Sequence, residues 1–427
     1  MNYFSLNQQS EPVSFKDAVI NGLAPDRGLY FPENITPLSK DFIDNISKYS
    51  NEEIAFEAIK QFVGNEIPEN ILKQIVSETI SFEFPVVKVK ENIGSLELFH
   101  GPTLAFKDVG ARFMARCLGY FNKDNSNDVT VLVATSGDTG GAVANGFLGV
   151  KGVDVVILYP SGKVSDIQEK QLTTLGQNIT ALEVNGVFDD CQDMVKTAFL
   201  DDEISRTLTS ANSINVARWL PQMFYYFFAY KQLHENHPNI VFSVPSGNFG
   251  NICAGLMAQK LGLPIRHFVA ATNVNDTVPE FMKNGEYTPK ASKATISNAM
   301  DVGNPSNFIR IQQLFNNSFN SLKSGFSSYS FDDSSTKEVM KKIYQETNYI
   351  ADPHGAVGFL GLEKHKLQSN EYGVFLETAH PIKFIDVVES TLNLKLTIPE
   401  EIKSLIKKEK RSIKIDSYKE LKSFLNK

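Results

Sequence analysis

Lys107 is the first residue on which chemistry can be built. It follows His100-Gly101-Pro102-Thr103-Leu104-Ala105-Phe106 and precedes Asp108. Gly101, Pro102 and Thr103 are turn residues, so the chain bends there. Beyond the bend Val109, Phe113, Cys117, Leu118 and Phe121 recur at helical spacing, with Arg112 and Arg116 on another face, and Asp108 is expected as the helix N-cap. A lysine at that helix start, flanked by Leu104, Ala105 and Phe106, is partly desolvated. Desolvation disfavours the ammonium form and makes the side chain an amine nucleophile suited to an aldehyde. A surface lysine snorkelling beside an apolar turn would have the same local sequence.

Two further loops are built to receive anions. Pro245-Ser246-Gly247-Asn248-Phe249-Gly250-Asn251 follows an expected strand at residues 240–244 and opens an apolar helix over 252–261. Glycines let backbone amides converge and the helix N-terminus adds positive potential, which suits a phosphate dianion. The loop matches neither the Walker sequence nor the dinucleotide fingerprint, and an ordinary turn between strand and helix favours the same residues. The other loop is Ser136-Gly137-Asp138-Thr139-Gly140-Gly141, where hydroxyls and amides could meet a carboxylate or a second phosphate. Ser136 or Asp138 acting as a plain N-cap would account for part of that pattern. Pyridoxal 5'-phosphate presents both an aldehyde and a phosphate, and an amino-acid substrate adds the carboxylate.

The elements that must position these loops alternate strand and helix. Short β-branched runs at 129–134, 153–159 and 179–184 are separated by helical stretches through 148, over 167–175 and over 191–200, and a second such unit begins at 240. This wiring predicts an α/β protein with parallel sheets, whose ligands sit beyond the carboxyl ends of the strands. Residues 214–234 read as one long buried helix, 316–336 as a surface insertion or mobile loop, and 399–427 as a solvated amphipathic tail.

The 427 residues, 42% hydrophobic, are enough for two or three domains, and the net charge of -7 without a basic stripe speaks against nucleic acid. Cys117, Cys191 and Cys253 form neither a disulfide framework nor a zinc pattern, so a cytoplasmic location is expected. The first ten residues lack the basic and apolar regions of a signal peptide, no run reaches spanning length, and the seven histidines include no metal-binding pair. No membrane association and no metal are therefore expected.

Several motifs in order resemble the microbial-type threonine synthases, which are fold type II pyridoxal-phosphate lyases. They are Ser14-Phe15-Lys16-Asp17-Ala18, Gly22 to Tyr30, His100 to Asp108, Thr135 to Gly140, Ser246 to Asn251, Ala299 to Asn307, Asp352-Pro353-His354-Gly355-Ala356-Val357 and Glu377-Thr378-Ala379-His380-Pro381. The resemblance implies a tryptophan synthase beta-like fold of two doubly wound α/β domains plus an N-terminal domain. The segments expected are an N-terminal domain at 1–95, a smaller α/β domain at 96–220 with the lysine and the substrate loop, a larger α/β domain at 221–400 with the phosphate loop, and a helical tail at 401–427. It implies that Lys107 bonds the cofactor, that Gly247, Asn248, Phe249, Gly250 and Asn251 wrap its phosphate, and that Thr378 bonds the pyridine nitrogen. Ser136, Gly137, Asp138 and Thr139 would receive the substrate carboxylate, with Lys383, Arg310 and Arg112 as candidates for its phosphate. Asn251 stands where an aspartate is expected and Gly355 where threonine is. The activity implied is conversion of O-phospho-L-homoserine and water to L-threonine and phosphate, by a monomer acting on a small molecule. A related phospholyase that releases 2-oxobutyrate would keep every cofactor motif, and a non-catalytic pyridoxal-phosphate carrier is a further alternative.

Overall fold

The computed structural model describes residues 1–123 and 129–427. Two sheets carry the architecture. The larger has six strands in the order Phe326–Ser330, His267–Thr272, Ile240–Pro245, Tyr372–Glu377, Ile93–Glu97 and Val86–Lys90, parallel except for the last, which pairs antiparallel with Ile93–Glu97. The smaller has five parallel strands in the order Ile413–Ile415, Ile179–Val184, Val153–Pro160, Val129–Ala134 and Thr207–Thr209. Their central strands are buried on both faces, which is why they read as continuous β-branched runs rather than alternating ones.

The N-terminal unit is a three-stranded antiparallel sheet, Val13–Ser14, Asn2–Ser5 and Tyr30–Pro32, with helices packed beside it. Local capping fixes where those helices start. Ser14 accepts from the Asp17 amide, and Ser50 and Glu53 form a reciprocal capping box on helix Asn51–Val63.

The structure departs from the sequence expectations at four places. Residues 86–95, expected within the N-terminal domain at 1–95, belong to the larger sheet, because the strand Ile93–Glu97 pairs in register with Tyr372–Glu377 and Val86–Lys90 pairs with it in turn. Residues 214–234 are three pieces, Val216–Trp219, the 3-10 turn Leu220–Met223 and Phe224–Leu233, since Pro221 cannot supply the amide a continuous helix needs. Residues 316–336 are not a mobile insertion: helix Phe319–Gly325 leads into the edge strand Phe326–Ser330 of the larger sheet. The expected helical tail holds a strand as well, Ile413–Ile415, which pairs with Ile179–Val184, while Leu421 and Leu425 pack with Leu182, Cys191 and Val195. These five buried apolar side chains give the segment a core of its own to leave water for.

Candidate functional site

Helix Lys107–Asn122 begins at Lys107 itself, with Phe106 rather than Asp108 as its N-cap, two residues earlier than expected. Asp108 is therefore not the N-cap. Its buried carboxylate turns back to Thr103, accepting the backbone amide at 2.9 Å and the hydroxyl in a second, short bond. This closes the loop that presents the lysine, and Leu104 is held left-handed at φ 58° within it, a conformation that costs a non-glycine residue roughly 1–2 kcal/mol. Tyr225 Oη donates to the Phe106 carbonyl, and the Phe106 amide donates to Thr378 O at 2.9 Å, so the lysine turn is pinned on both sides. Burial holds the Lys107 amine below the ordinary lysine range; Asp138 opposes this, while Lys383 and Arg218 reinforce it.

Lys383 follows the strand Tyr372–Glu377 and is fully buried. Its ammonium meets Asp138 Oδ1 at 2.7 Å and the Thr103 carbonyl at 2.8 Å. Gln168 Nε2 donates to the same Asp138 oxygen at 2.8 Å, and Gln171 Nε2 to the Thr103 carbonyl at 3.1 Å. Burial alone would keep Asp138 protonated, but Lys383 and Lys107 outweigh it and hold the carboxyl far below the usual carboxylate range. An ionised side chain cannot receive a substrate carboxylate. The side chain of Asp138 is the counter-ion of Lys383, which leaves its backbone as the part that could serve an anion.

The loop around it retains free donors. Helix Asp138–Phe147 has Gly137 as its N-cap at φ 144° and no side-chain cap. Thr135 Oγ1 accepts from the Gly137 amide at 3.0 Å and the Gly140 amide at 2.8 Å, which shapes the turn and leaves Ser136 and Thr139 beside it. A Cβ on Gly137 would lie 2.5 Å from Gln168 Cδ, so space and backbone angle both demand glycine.

The third loop runs from strand Ile240–Pro245 into helix Gly250–Lys260, whose N-cap Phe249 is left-handed at φ 61° and offers no side-chain cap. Neutral groups hold it. Asn248 accepts the Ser306 amide at 2.6 Å through Oδ1 and donates to Ser213 Oγ at 2.8 Å, while Asn251 Nδ2 donates to the Pro245 carbonyl at 2.8 Å. A Cβ on Gly247 would meet Met300 Cα at 2.7 Å, whereas one on Gly250 would meet only the Asn307 amide group at 3.2 Å. All three loops and Thr378 stand at the carboxyl ends of strands, so the structure brings Lys107, Ser136 to Thr139, Lys383, Gly247 to Asn251 and Thr378 to one side of the two sheets.

Two candidate cations are placed elsewhere. Arg310 is fully buried, and its five donors are spent on Tyr30 O, Ser213 O, Ile214 O and Asn307 Oδ1 while the guanidinium lies 4.4 Å from the Trp219 ring centroid. Through Asn307 and Ser213 it braces the loop at 246–251, and it has no donor left for a substrate phosphate. Arg112 is tied to the Glu78 carbonyl at 2.6 Å and Ser81 Oγ at 3.0 Å, on the side of the N-terminal unit. Sequence reasoning passed over Gln168, Gln171 and Ser213; two glutamines at i and i+3 facing inward on helix Asp166–Thr173 were the one available signal.

Comparison with known proteins identifies the family of the chain. The profile of pyridoxal-phosphate dependent enzymes matches residues 94–377, that of the threonine synthase N terminus residues 2–80 and that of the threonine synthase C-terminal region residues 355–425. The chain belongs to the threonine synthases, within the pyridoxal-phosphate-dependent enzymes. It is 47% identical to the threonine synthase of Escherichia coli K12 over 94% of each chain. The crystal structure of the threonine synthase from Escherichia coli superposes with a TM-score of 0.93 at 44% identity, covering 100% of this chain and 99% of that one. The pyridoxal-phosphate-bound threonine synthase from Brucella melitensis does so with a TM-score of 0.93 at 33% identity, over 100% and 99%. The fold is therefore that of the fold type II enzymes with an added N-terminal domain.

Proposed function

We infer that the protein is a threonine synthase with pyridoxal 5'-phosphate as its cofactor, converting O-phospho-L-homoserine and water to L-threonine and phosphate. The observation that carries this reading is the buried Lys383–Asp138 pair set beside Lys107, between two helix N-termini that no side chain caps. The residues fit the cofactor. Lys107 would bond its aldehyde carbon, the amides of 247–251 would take its phosphate where Gly247 has no room for a side chain, and the Thr378 hydroxyl would meet the pyridine nitrogen. When bound, pyridoxal phosphate supplies an electron sink for a proton lost from the substrate α-carbon.

The chain's own groups account for the rest. Lys107, whose amine burial holds below the ordinary lysine range, is suited to act as the base at the α-carbon and to return the proton later. The uncapped start of helix Asp138–Phe147, with Ser136 and Thr139, fits the substrate carboxylate. Lys383 would be the cation for the substrate phosphate; Gln168 would remain to hold Asp138 when the phosphate competes for the ammonium. A hydroxyl at Thr378 cannot hold the ring nitrogen protonated as an aspartate could, which weakens the sink and disfavours premature release of 2-oxobutyrate.

A reducing compartment fits three buried free cysteines, and among the described residues no helix is long and apolar enough to cross a membrane. The test is incubation of the purified protein with O-phosphohomoserine. Threonine and phosphate in equal amounts are expected; 2-oxobutyrate as the main product would make it the phospholyase, and no turnover would leave a carrier.

A further inference from the structure

Behind the strand that ends at Glu377 lies a polar cluster that the reaction scheme leaves unused. Glu377 and Asp352 are both completely buried. Glu377 Oε1 accepts the Asp352 amide. Asp352 Oδ1 caps helix Pro353–His365 through the His354 amide and accepts from the His354 ring Nδ1 at 2.8 Å. His354 Nε2 in turn accepts the Ala299 amide at 3.2 Å, so the hydrogen-bond network assigns the ring proton to Nδ1 and the imidazole is neutral. Two oxygens are left over, Glu377 Oε2 and Asp352 Oδ2, each buried without a hydrogen-bond partner among the described residues.

The groups facing Glu377 are Asp352, Glu97 and Tyr349; His354 is bonded to Asp352, His100 is paired with Glu97 at 2.8 Å, and His380 lies within the electrostatic reach of Glu97, Asp352 and Lys383. Tyr349 Oη lies 2.9 Å from Ser95 Oγ and 3.0 Å from Glu97 Oε1. No lysine or arginine forms an ion pair with either buried carboxyl among the described residues. Two carboxylates in such a place cannot both be ionised.

We propose that the Glu377–Asp352 pair holds a single proton at neutral pH, carried by Glu377, and that Glu377 is a positioning residue kept neutral directly behind Thr378. Burial first, then Asp352 and Glu97, push the Glu377 carboxyl well above its ordinary range. Gly355 belongs to the same device: a Cβ there would lie 1.5 Å from Glu377 Oε2, so the missing side chain is the space the acid occupies. The consequence for the ring rests on Thr378 being the partner of the pyridine nitrogen. A carboxylate one residue away would draw that nitrogen toward its protonated form, whereas a neutral acid leaves it unprotonated and the sink weak.

Glutamine is the matching neutral isostere, so Glu377→Gln separates charge from shape. Infrared difference spectra of the purified full chain at pH 7 should contain a protonated carboxylic acid band that Glu377→Gln removes. No such difference would overturn the proposal. The thermal midpoint gives a second reading without cofactor. A carboxyl with a raised folded pKa contributes stability that falls as pH rises from its unfolded value through its folded one, so wild type should lose ground to Glu377→Gln steadily above about pH 4.5, and a pH-independent difference would overturn it. With cofactor bound, any alkaline shift of its absorption band caused by Glu377 should vanish in Glu377→Gln. If the band shifts identically in both proteins while the infrared band behaves as expected, the proton stands and its link to the ring does not. Failure to bind cofactor at all would instead count against the function proposed above.

Discussion

The two helix N-termini at the site are built to opposite electrical plans. The loop at Ser246 to Asn251 contains no charge, is tied down by asparagine side chains and Ser213, and offers only backbone dipoles. The loop at Ser136 to Gly140 carries Asp138, bound to Lys383 from the other sheet and to Gln168 from its own. A resident group is best held by preorganised neutral donors that need no rearrangement, while a substrate that arrives and leaves charged is best met by an ion pair that can exchange partners. The difference separates holding from turning over.

The largest effect should come from breaking the neutral loop. Gly247→Ala sets a methyl 2.7 Å from a backbone atom, Met300 Cα, and should weaken cofactor affinity by about 100-fold or more, roughly 2.7 kcal/mol. Gly250→Ala meets only a side-chain amide and should cost much less. Equal losses in a cofactor titration would show that the loop is not rigid where the contrast requires it.

Breaking the charged loop should act on the substrate instead. Lys383→Met removes the ion-pair partner of buried Asp138, leaving it Gln168 and the field of Lys107, and should cost up to about 3–5 kcal/mol of stability. Its kcat/KM for O-phosphohomoserine should fall by two to three orders of magnitude, about 3–4 kcal/mol, with cofactor affinity within a few-fold of wild type. Pairing the change as Lys383→Met with Asp138→Asn should recover the stability but not the KM. Recovery of both would remove Lys383 from substrate binding.

Lys107 allows the contrast to be read by pH. Its folded pKa lies below the 10.5 of a free lysine, so in that window the unfolded chain binds the extra proton and stability rises with pH. The cofactor-free protein should therefore gain stability toward pH 10.5 relative to Lys107→Met. Parallel denaturation curves across that window would mean that the amine is not desolvated.

The smallest effect is expected at Ser213, whose hydroxyl receives Asn248 and Asn307 at 2.8 and 3.3 Å. Ser213→Ala should loosen cofactor binding about five-fold, near 1 kcal/mol, without changing KM. A change in KM alone would place Ser213 with the substrate.

The strands at 129–134, 179–184 and 240–245 were legible in the sequence because each is a β-branched run closed by glycine-bearing turns. The lysine loop was legible for the same reason: turn residues and helical spacing are local signals. What escaped depends on contacts across the chain. Arg310 looks like a ligand in sequence, and only the carbonyls of Tyr30, Ser213 and Ile214 reveal it as a support. Asp138 changes meaning once Lys383, from 245 positions further along, is seen beside it. Pro221 was visible and should have divided the helix expected at 214–234. Gly355 stood out as an unexpected residue, and its reason lies in Glu377 across the cluster.

The strand Ile413–Ile415 has a consequence for how the protein is made. It covers the edge of Ile179–Val184, yet it is synthesised more than half the chain later. On the ribosome that edge therefore waits with its backbone donors and acceptors open, in the company of Cys191 and Val195, until Leu421 and Leu425 arrive to seal the lobe. Nascent chains stopped short of residue 413 should be the ones that chaperones retain.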